Sequence, residues 1–127
     1  DWLCSVFGFS VRIKVEGPNG DIRHAELDVG ADGLVMVSSA GLRQESGKAY
    51  TASPKELGDK TTHSLCVQVD DVDAHFTHAK AAGAHVASPP ETVDYGPEYW
   101  ADRNYLVEDL EGHRWWFVQR IRGPGAP

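Results

Sequence analysis

Apolar and polar side chains alternate over residues 10–16 (SVRIKVE) and again over 22–29 (IRHAELDV), a period of two that predicts half-buried strands. Pro18-Asn19-Gly20-Asp21 lies between them and predicts a turn, with Asn19-Gly20 suited to positive φ. Ala31-Asp32-Gly33 then turns the chain into a third strand, LVMVSS. Residues 40–61 are rich in Ser, Gly, Lys and Thr and lack apolar periodicity, which predicts a mobile connector, long enough that it is expected to cover something. Alternation returns at 63–69 (HSLCVQV). Asp71 then precedes a helix on which Val72, Phe76 and Ala79, at i, i+4 and i+7, form one buried face. Gly83 is its expected left-handed cap. His75 and His78 are assigned to the solvent side with Asp71 and Lys80. A short strand, HVAS, is expected to break at Ser88-Pro89-Pro90, Tyr95-Gly96-Pro97 to turn again, and a closing pair of strands to flank D-L-E-G-H-R-W-W-F-V-Q.

The two halves repeat one order: a helix ending in glycine (Trp2 to Gly8, against Val72 to Gly83), then three strands, the last opening with an acid-glycine turn (Asp32-Gly33, against Glu111-Gly112). The second half has a strand before its helix and the first has none, so a leading strand is expected to be missing from this sequence or supplied by another chain. A lone βαβββ module leaves one sheet face open, and two are needed to enclose a cavity. The expected fold class is α+β, with two βαβββ modules, the first lacking its leading strand, forming a curved mixed sheet around a cavity. Residues 1–127 are read as a single domain with module one at 1–39, a connector at 40–61, module two at 62–121 and a tail at 122–127.

Charge and cysteine usage narrow the partners. Nineteen acidic against twelve basic side chains give a formal charge of −7 with no basic cluster, so neither nucleic acid nor an anionic membrane is expected, and a cationic ligand is favoured over an anionic one. Cys4 and Cys66 lie in apolar patterns without C-x-x-C spacing, which fits a reducing compartment. No apolar run approaches the roughly 20 residues of a membrane span and no charged-then-apolar leader opens the chain. A soluble, cytoplasmic protein is therefore expected.

Strand parity separates two faces. Leu65, Val67 and Val69 are the set expected under the helix, leaving Ser64, Cys66 and Gln68 on the cavity side. On the last strand His113, Trp115 and Phe117 share one parity, and Arg114, Trp116 and Val118 the other. On 22–29 the packing set is Ala25, Leu27 and Val29, so His24, Glu26 and Asp28 face away from it.

The runs V-D-D-V-D-A-H-F, A-K-A-A-G-A, Y-G-P-E-Y and D-L-E-G-H-R-W-W-F, with weaker matches in D-W-L-C-S-V-F-G-F, H-A-E-L and D-G-L-V-M-V, resemble the vicinal-oxygen-chelate superfamily. Within that group of glyoxalases, bleomycin-resistance proteins and extradiol dioxygenases, the chain looks most like the glyoxalase-like, bleomycin-resistance-type branch. The resemblance implies paired modules, often homodimers with ligand grooves between them, and metal sites built from His, Gln or Glu on the first and last strand of each module. Those places fall here on Ser64, Trp116 and Val37, the remaining one lying on the strand the sequence lacks. Serine, valine and tryptophan do not make a transition-metal site, which wants imidazole and carboxylate donors at about 2.0–2.2 Å, so no metal and no other cofactor is expected. His63 is one residue from a ligand place, and one residue on a strand reverses the side chain. His113 belongs to the family's recurring E-G-H-x-W-x-F turn, where a structural part is favoured over catalysis, and it stays among the residues considered.

Candidate ligand-binding residues are Trp116, Tyr105 and Trp100, whose rings suit a flat ligand, with Arg103 and Arg114 near them and Ser64, His24 and Glu26 on cavity-side parities. No catalytic residue is assigned, and no nucleophile elbow, phosphate cradle or H-E-x-x-H run is found. Two functions remain open. One is a metal-independent small-molecule binder that sequesters an aromatic or cationic compound or antibiotic, working as a homodimer. The other is a metal-dependent glyoxalase-type lyase or isomerase, or a dioxygenase, with a partner chain or further strand completing a ligand set with His63 or with His24 and Glu26.

Overall fold

Each predicted strand and helix has its counterpart in the computed structural model, which describes residues 1–42 and 46–125. Arg43 to Glu45 of the expected connector, and Ala126 and Pro127 of the expected tail, lie outside the described residues. The fold is α+β, and the backbone divides into two compact units, Asp1–Lys60 and Thr61–Pro127.

In the first unit, helix α1 (Trp2–Phe7) ends at Gly8, whose φ of 78° is the left-handed conformation glycine adopts without strain. Its buried Val6 and Phe7 and the following Phe9 are core residues. Strands β1 (Ser10–Glu16), β2 (Ile22–Val29) and β3 (Gly33–Val37) form an antiparallel sheet in the order β1-β2-β3. Alternation on β2 comes out as read: Ala25 and Leu27 are buried, while His24, Glu26 and Asp28 are half-buried on the other side. Opposite them, Ile13 pairs with Glu26, Val15 with His24, Leu34 with Asp28 and Met36 with Glu26. All four apolar side chains are exposed.

The expected mobile connector contains ordered structure. Pro54–Leu57 form a 3-10 helix in which the Ser53 hydroxyl accepts from Glu56 N and the Glu56 carboxylate accepts from Ser53 N, with Ser53 and Pro54 both buried. This capping box lies in a segment without apolar periodicity, so a pattern of hydrophobic positions does not report it.

In the second unit, β4 (Leu65–Gln68), α2 (Val72–Ala81), β5 (His85–Asp94), β6 (Ala101–Glu108) and β7 (Arg114–Arg122) make a mixed sheet of order β4-β7-β6-β5, with β4 parallel to β7 and the other pairs antiparallel. Among the described residues, the place that β4 fills beside β7 has no counterpart beside β3. The Asp71 carboxylate caps α2 by accepting from Ala74 N at 2.9 Å, and Gln119 Oε1 accepts from Val72 N at 3.0 Å, so two N–H groups of the first turn are satisfied. Val72 and Ala79 are fully buried.

Two expectations are corrected here. Pro89 and Pro90 do not break the strand. β5 continues from His85 to Asp94 with register shifts between Val86 and Ser88 and between Ser88 and Glu91. It is the sheet's edge strand, where a residue without an N–H loses no ladder bond. His75 is not on the solvent side either. It is half-buried, its ring stacked on Phe117 with centroids 4.1 Å apart and its Nδ1 2.7 Å from the Tyr105 hydroxyl. The buried stripe of α2 is therefore wider than the three apolar positions. Among the described residues, no helix is long and apolar enough to cross a membrane.

Candidate functional site

Register decides which side chains of the second unit share a face. Leu65 pairs with Trp115 and Val67 with Phe117, and β6 places Val107 beside Trp115 and Tyr105 beside Phe117. These lie on the side covered by α2, where Tyr105, Val107, Trp115 and Phe117 are buried. The opposite, open face carries Cys66 beside Trp116, Gln68 beside Val118, Leu106 beside Trp116, Asn104 beside Val118 and Asp102 beside Arg120; it is exposed at Cys66, Gln68 and Arg120, half-buried at Trp116, Val118 and Asn104, and buried at Leu106 and Asp102. Trp116 is thus flanked by a thiol and a leucine, and the next rows along β7 become polar.

The acid-glycine turn before β7 is fixed by one carboxylate. Asp109 Oδ1 accepts from the N–H groups of Glu111 and His113, and Oδ2 accepts from the Trp115 indole at 2.9 Å. Trp115 is thereby locked under the helix, and the next residue, Trp116, is directed to the open face.

At the far end of that face, Asp102 is buried and accepts from Arg120 Nε at 2.5 Å. The Arg120 guanidinium also lies over the Trp100 ring, 5.6 Å from its centroid. Trp100 is packed in turn against Tyr95 and Tyr99, with centroids 5.1 and 6.3 Å away. Beside Arg120 is a shallow depression of about 240 Å³ lined by Gln68, Val69, Asp70, Val118, Gln119 and Arg120. The Cys66 thiol has its pKa pushed up by burial and secondarily by the Asp102 charge.

Of the candidate residues, Trp116 and Arg114 share the open face. Ser64 is exposed and precedes β4, and Trp100 joins the face through Arg120. Tyr105 and Arg103 do not belong to it. Tyr105 is fully buried under α2, where desolvation raises its phenol pKa. Arg103 pairs across the strands with Gln119 on the helix side and forms two 2.8 Å bonds to Asp73 of α2. Both have odd numbers on β6, the parity of the covered face, and nearness along the strand does not carry them across.

His24 and Glu26 lie on the first unit's sheet, with Nε2 and Oε1 3.1 Å apart. Val37 is corrected as well. It pairs with Ala25 on the packing side, and Met36, opposite Glu26, takes the other face. Gly33 pairs with Val29 of the packing set, whereas the first pair of β7, Arg114 with Glu108, is on the open face. Equal counts from the two glycines therefore end on opposite sides. Serine and tryptophan stand at two of the places where the family resemblance puts donors, and neither supplies the imidazole or carboxylate that a transition metal wants. Among the described residues, no three of His, Cys, Asp and Glu gather as a donor cluster. The His63 ring, 6.3 Å from the His113 ring, is exposed.

Arg120, Asp102 and Asn104 were not among the candidates. Continuing the parity of Trp116 through Val118 reaches Arg120, and an aspartate within A-D-R-N-Y-L-V marks a buried charge that requires a partner.

Comparison with known proteins matches residues 1–117 to the family described as Glyoxalase/Bleomycin resistance protein/Dioxygenase superfamily. The chain is 35% identical over 122 residues to an uncharacterised protein, Mb0911c, of Mycobacterium bovis, covering 96% of this chain and 74% of that one. It is equally similar to Rv0887c of Mycobacterium tuberculosis, also uncharacterised, of which it spans 66%. Among solved structures, TioX from Micromonospora sp. ML1 is 37% identical with a TM-score of 0.67, over 95% of this chain and 86% of that one. TnmS3, an antibiotic binding protein from Streptomyces sp. CB03234, shares the fold at 20% identity and a TM-score of 0.60, over 94% and 82%.

Proposed function

The chain belongs to the Glyoxalase/Bleomycin resistance protein/Dioxygenase superfamily, and from that premise we propose that it is a metal-independent small-molecule-binding protein holding an aromatic compound against Trp116. The observation that carries this reading is the position of Trp116. It stands half-buried on the open face of β7 with Cys66 and Leu106 beside it, at a place where the family resemblance would put a metal donor. An indole with one side open offers a broad apolar surface for stacking. TnmS3 is titled an antibiotic binding protein, so this scaffold is compatible with such cargo. An antibiotic is accordingly the favoured class of compound.

The same reading takes the protein to be a cytoplasmic homodimer. Cys4 and Cys66 are both free thiols, in keeping with a reducing compartment. The exposed Ile13, Val15, Leu34 and Met36 on one face of the first sheet, with an open edge at β3, supply apolar surface for a second chain. Sedimentation is expected to give a dimer at micromolar concentration, and monomer alone would remove that part.

The test of binding is a screen of aromatic antibiotics and other flat compounds by tryptophan fluorescence, repeated with Trp116→Ala. Loss of about 2 kcal/mol or more of affinity is expected for any hit. Equal binding by wild type and variant would remove the Trp116 reading. Elemental analysis after dialysis is expected to give well under one equivalent of transition metal per chain. A full equivalent would favour the enzymatic alternative, to which the His24–Glu26 pair would then be the first candidate contributor.

A further inference from the structure

The proposal that Trp116 stacks an aromatic ring leaves the other end of the ligand undefined, and Arg120 defines it. Trp116, Val118 and Arg120 share the open face of β7, so four residues, roughly 13 Å of strand, separate the indole from the guanidinium. Val118 between them offers an apolar floor, with Gln68 and Asn104 as its neighbours on either side.

Arg120 is held rather than free. Its Nε donates to the buried Asp102, and its Cζ lies over the Trp100 ring, 5.6 Å from the centroid. A guanidinium has five N–H donors in a planar fork, and the Asp102 bond engages Nε, so the donors of the two terminal Nη groups remain for an oxyanion, on a residue that lines the depression with Gln68, Val69, Asp70, Val118 and Gln119 at the ends of β4 and β7. A side chain fixed on two sides has already lost the rotamer freedom that binding would otherwise cost it. The fork's geometry matches two oxygens of one carboxylate, and Gln68 adds an amide donor at the same depression.

Resting on the Trp116 reading, we propose that the ligand is an aromatic acid: its ring lies on Trp116 and its carboxylate, or an equivalent oxyanion, is bound by the Nη edge of Arg120. This reverses the preference for a cation that the net charge of −7 suggests. Charge at a distance is screened by salt within about 10 Å, whereas a charge-assisted bond at contact is not. The acids near Arg120 are Asp102, whose Oδ1 is engaged by it, and the exposed Asp70 at the rim of the depression.

Three probes with one skeleton test this: biphenyl-4-carboxylate, biphenyl-4-methanol and biphenyl-4-methylamine, titrated by tryptophan fluorescence into the full chain. The carboxylate is expected to bind about tenfold or more tighter than the alcohol, as one charge-assisted contact requires, with the amine weakest. Arg120→Gln should bring the carboxylate to the level of the alcohol, with the alcohol losing far less affinity than the carboxylate. Because that variant leaves Asp102 without its partner, Asp102→Asn combined with Arg120→Gln provides a neutral pair, expected to show the same loss of discrimination. Trp116→Ala should weaken all three probes alike. The amine binding tightest, or a carboxylate preference that survives both Arg120 variants, would overturn the proposal while leaving the Trp116 groove in place. If none of the probes binds, both readings fall.

Discussion

The hydroxyl of Tyr105 lies 2.7 Å from Nδ1 of His75, joining the central strand β6 to the helix that covers it. The imidazole is also stacked on Phe117, and Phe76 meets the Tyr105 ring edge-on at 5.3 Å between centroids. Burial raises the phenol's pKa, so the hydroxyl keeps its proton, and the direction of the hydrogen bond follows which imidazole nitrogen carries a proton.

Tyr105→Phe keeps the ring and removes the oxygen, taking one partner from a half-buried imidazole. A loss of about 1–3 kcal/mol in urea unfolding is expected. An unchanged midpoint would mean that the bond contributes nothing net.

Trp115 and Trp116 are adjacent yet face opposite ways, which makes them a paired test of the register. Trp115→Ala empties a buried site and releases the Asp109 carboxylate that holds the turn, so a loss of about 3–5 kcal/mol is expected. Trp116→Ala should cost clearly less, because its ring is half-exposed. Equal losses in denaturant titrations would contradict the assignment of the faces.

Much of this arrangement is legible in the sequence, because period-two alternation reports burial directly. It separates Ala25 and Leu27 from His24 and Glu26, and Trp115 and Phe117 from Trp116. Alternation fails where other forces position the backbone. Pro89-Pro90 reads as a break because local sequence does not say that β5 lies at the sheet edge, where proline is tolerated. The Ser53 capping box is polar throughout. His75 reads as solvated because histidine is not counted among apolar positions, although a stacked imidazole buries much as an aromatic ring does. In the candidate site Trp116 follows from parity, but the pairing of Asp102 with Arg120 depends on which strands become neighbours, and that is a property of topology.

Asp94 supplies a pH-dependent contact at the end of β5. Arg122 donates to both its oxygens, at 2.7 and 2.9 Å, and Gly96 N donates at 2.9 Å, so its pKa falls from 3.8 to about 2. A carboxylate depressed in the folded state contributes stability that is present above 3.8 and lost as the pH falls toward about 2. Carboxyl NMR is expected to place the Asp94 midpoint near 2, and Arg122→Ala to return it most of the way to 3.8. A midpoint at 3.8 in the wild type would show that the ion pair does not persist in solution.

Cys66, the strand neighbour of Trp116, reports on the open face. Its thiol pKa is raised above 9.0, first by burial and then by the negative charge of Asp102, and the thiolate is the form that reacts. In a Cys4→Ser background, iodoacetamide should therefore modify the protein more slowly at pH 8 than it does free cysteine, with a pH–rate midpoint above that of an ordinary thiol. Asp102→Asn removes the smaller cause only, so the midpoint should move down without losing the upward shift that burial causes. Since Cys66 is the strand neighbour of Trp116, a compound stacked on that indole should slow the reaction further, in proportion to its occupancy. A bound compound that leaves the alkylation rate unchanged would have to lie elsewhere than on the face shared by Cys66 and Trp116.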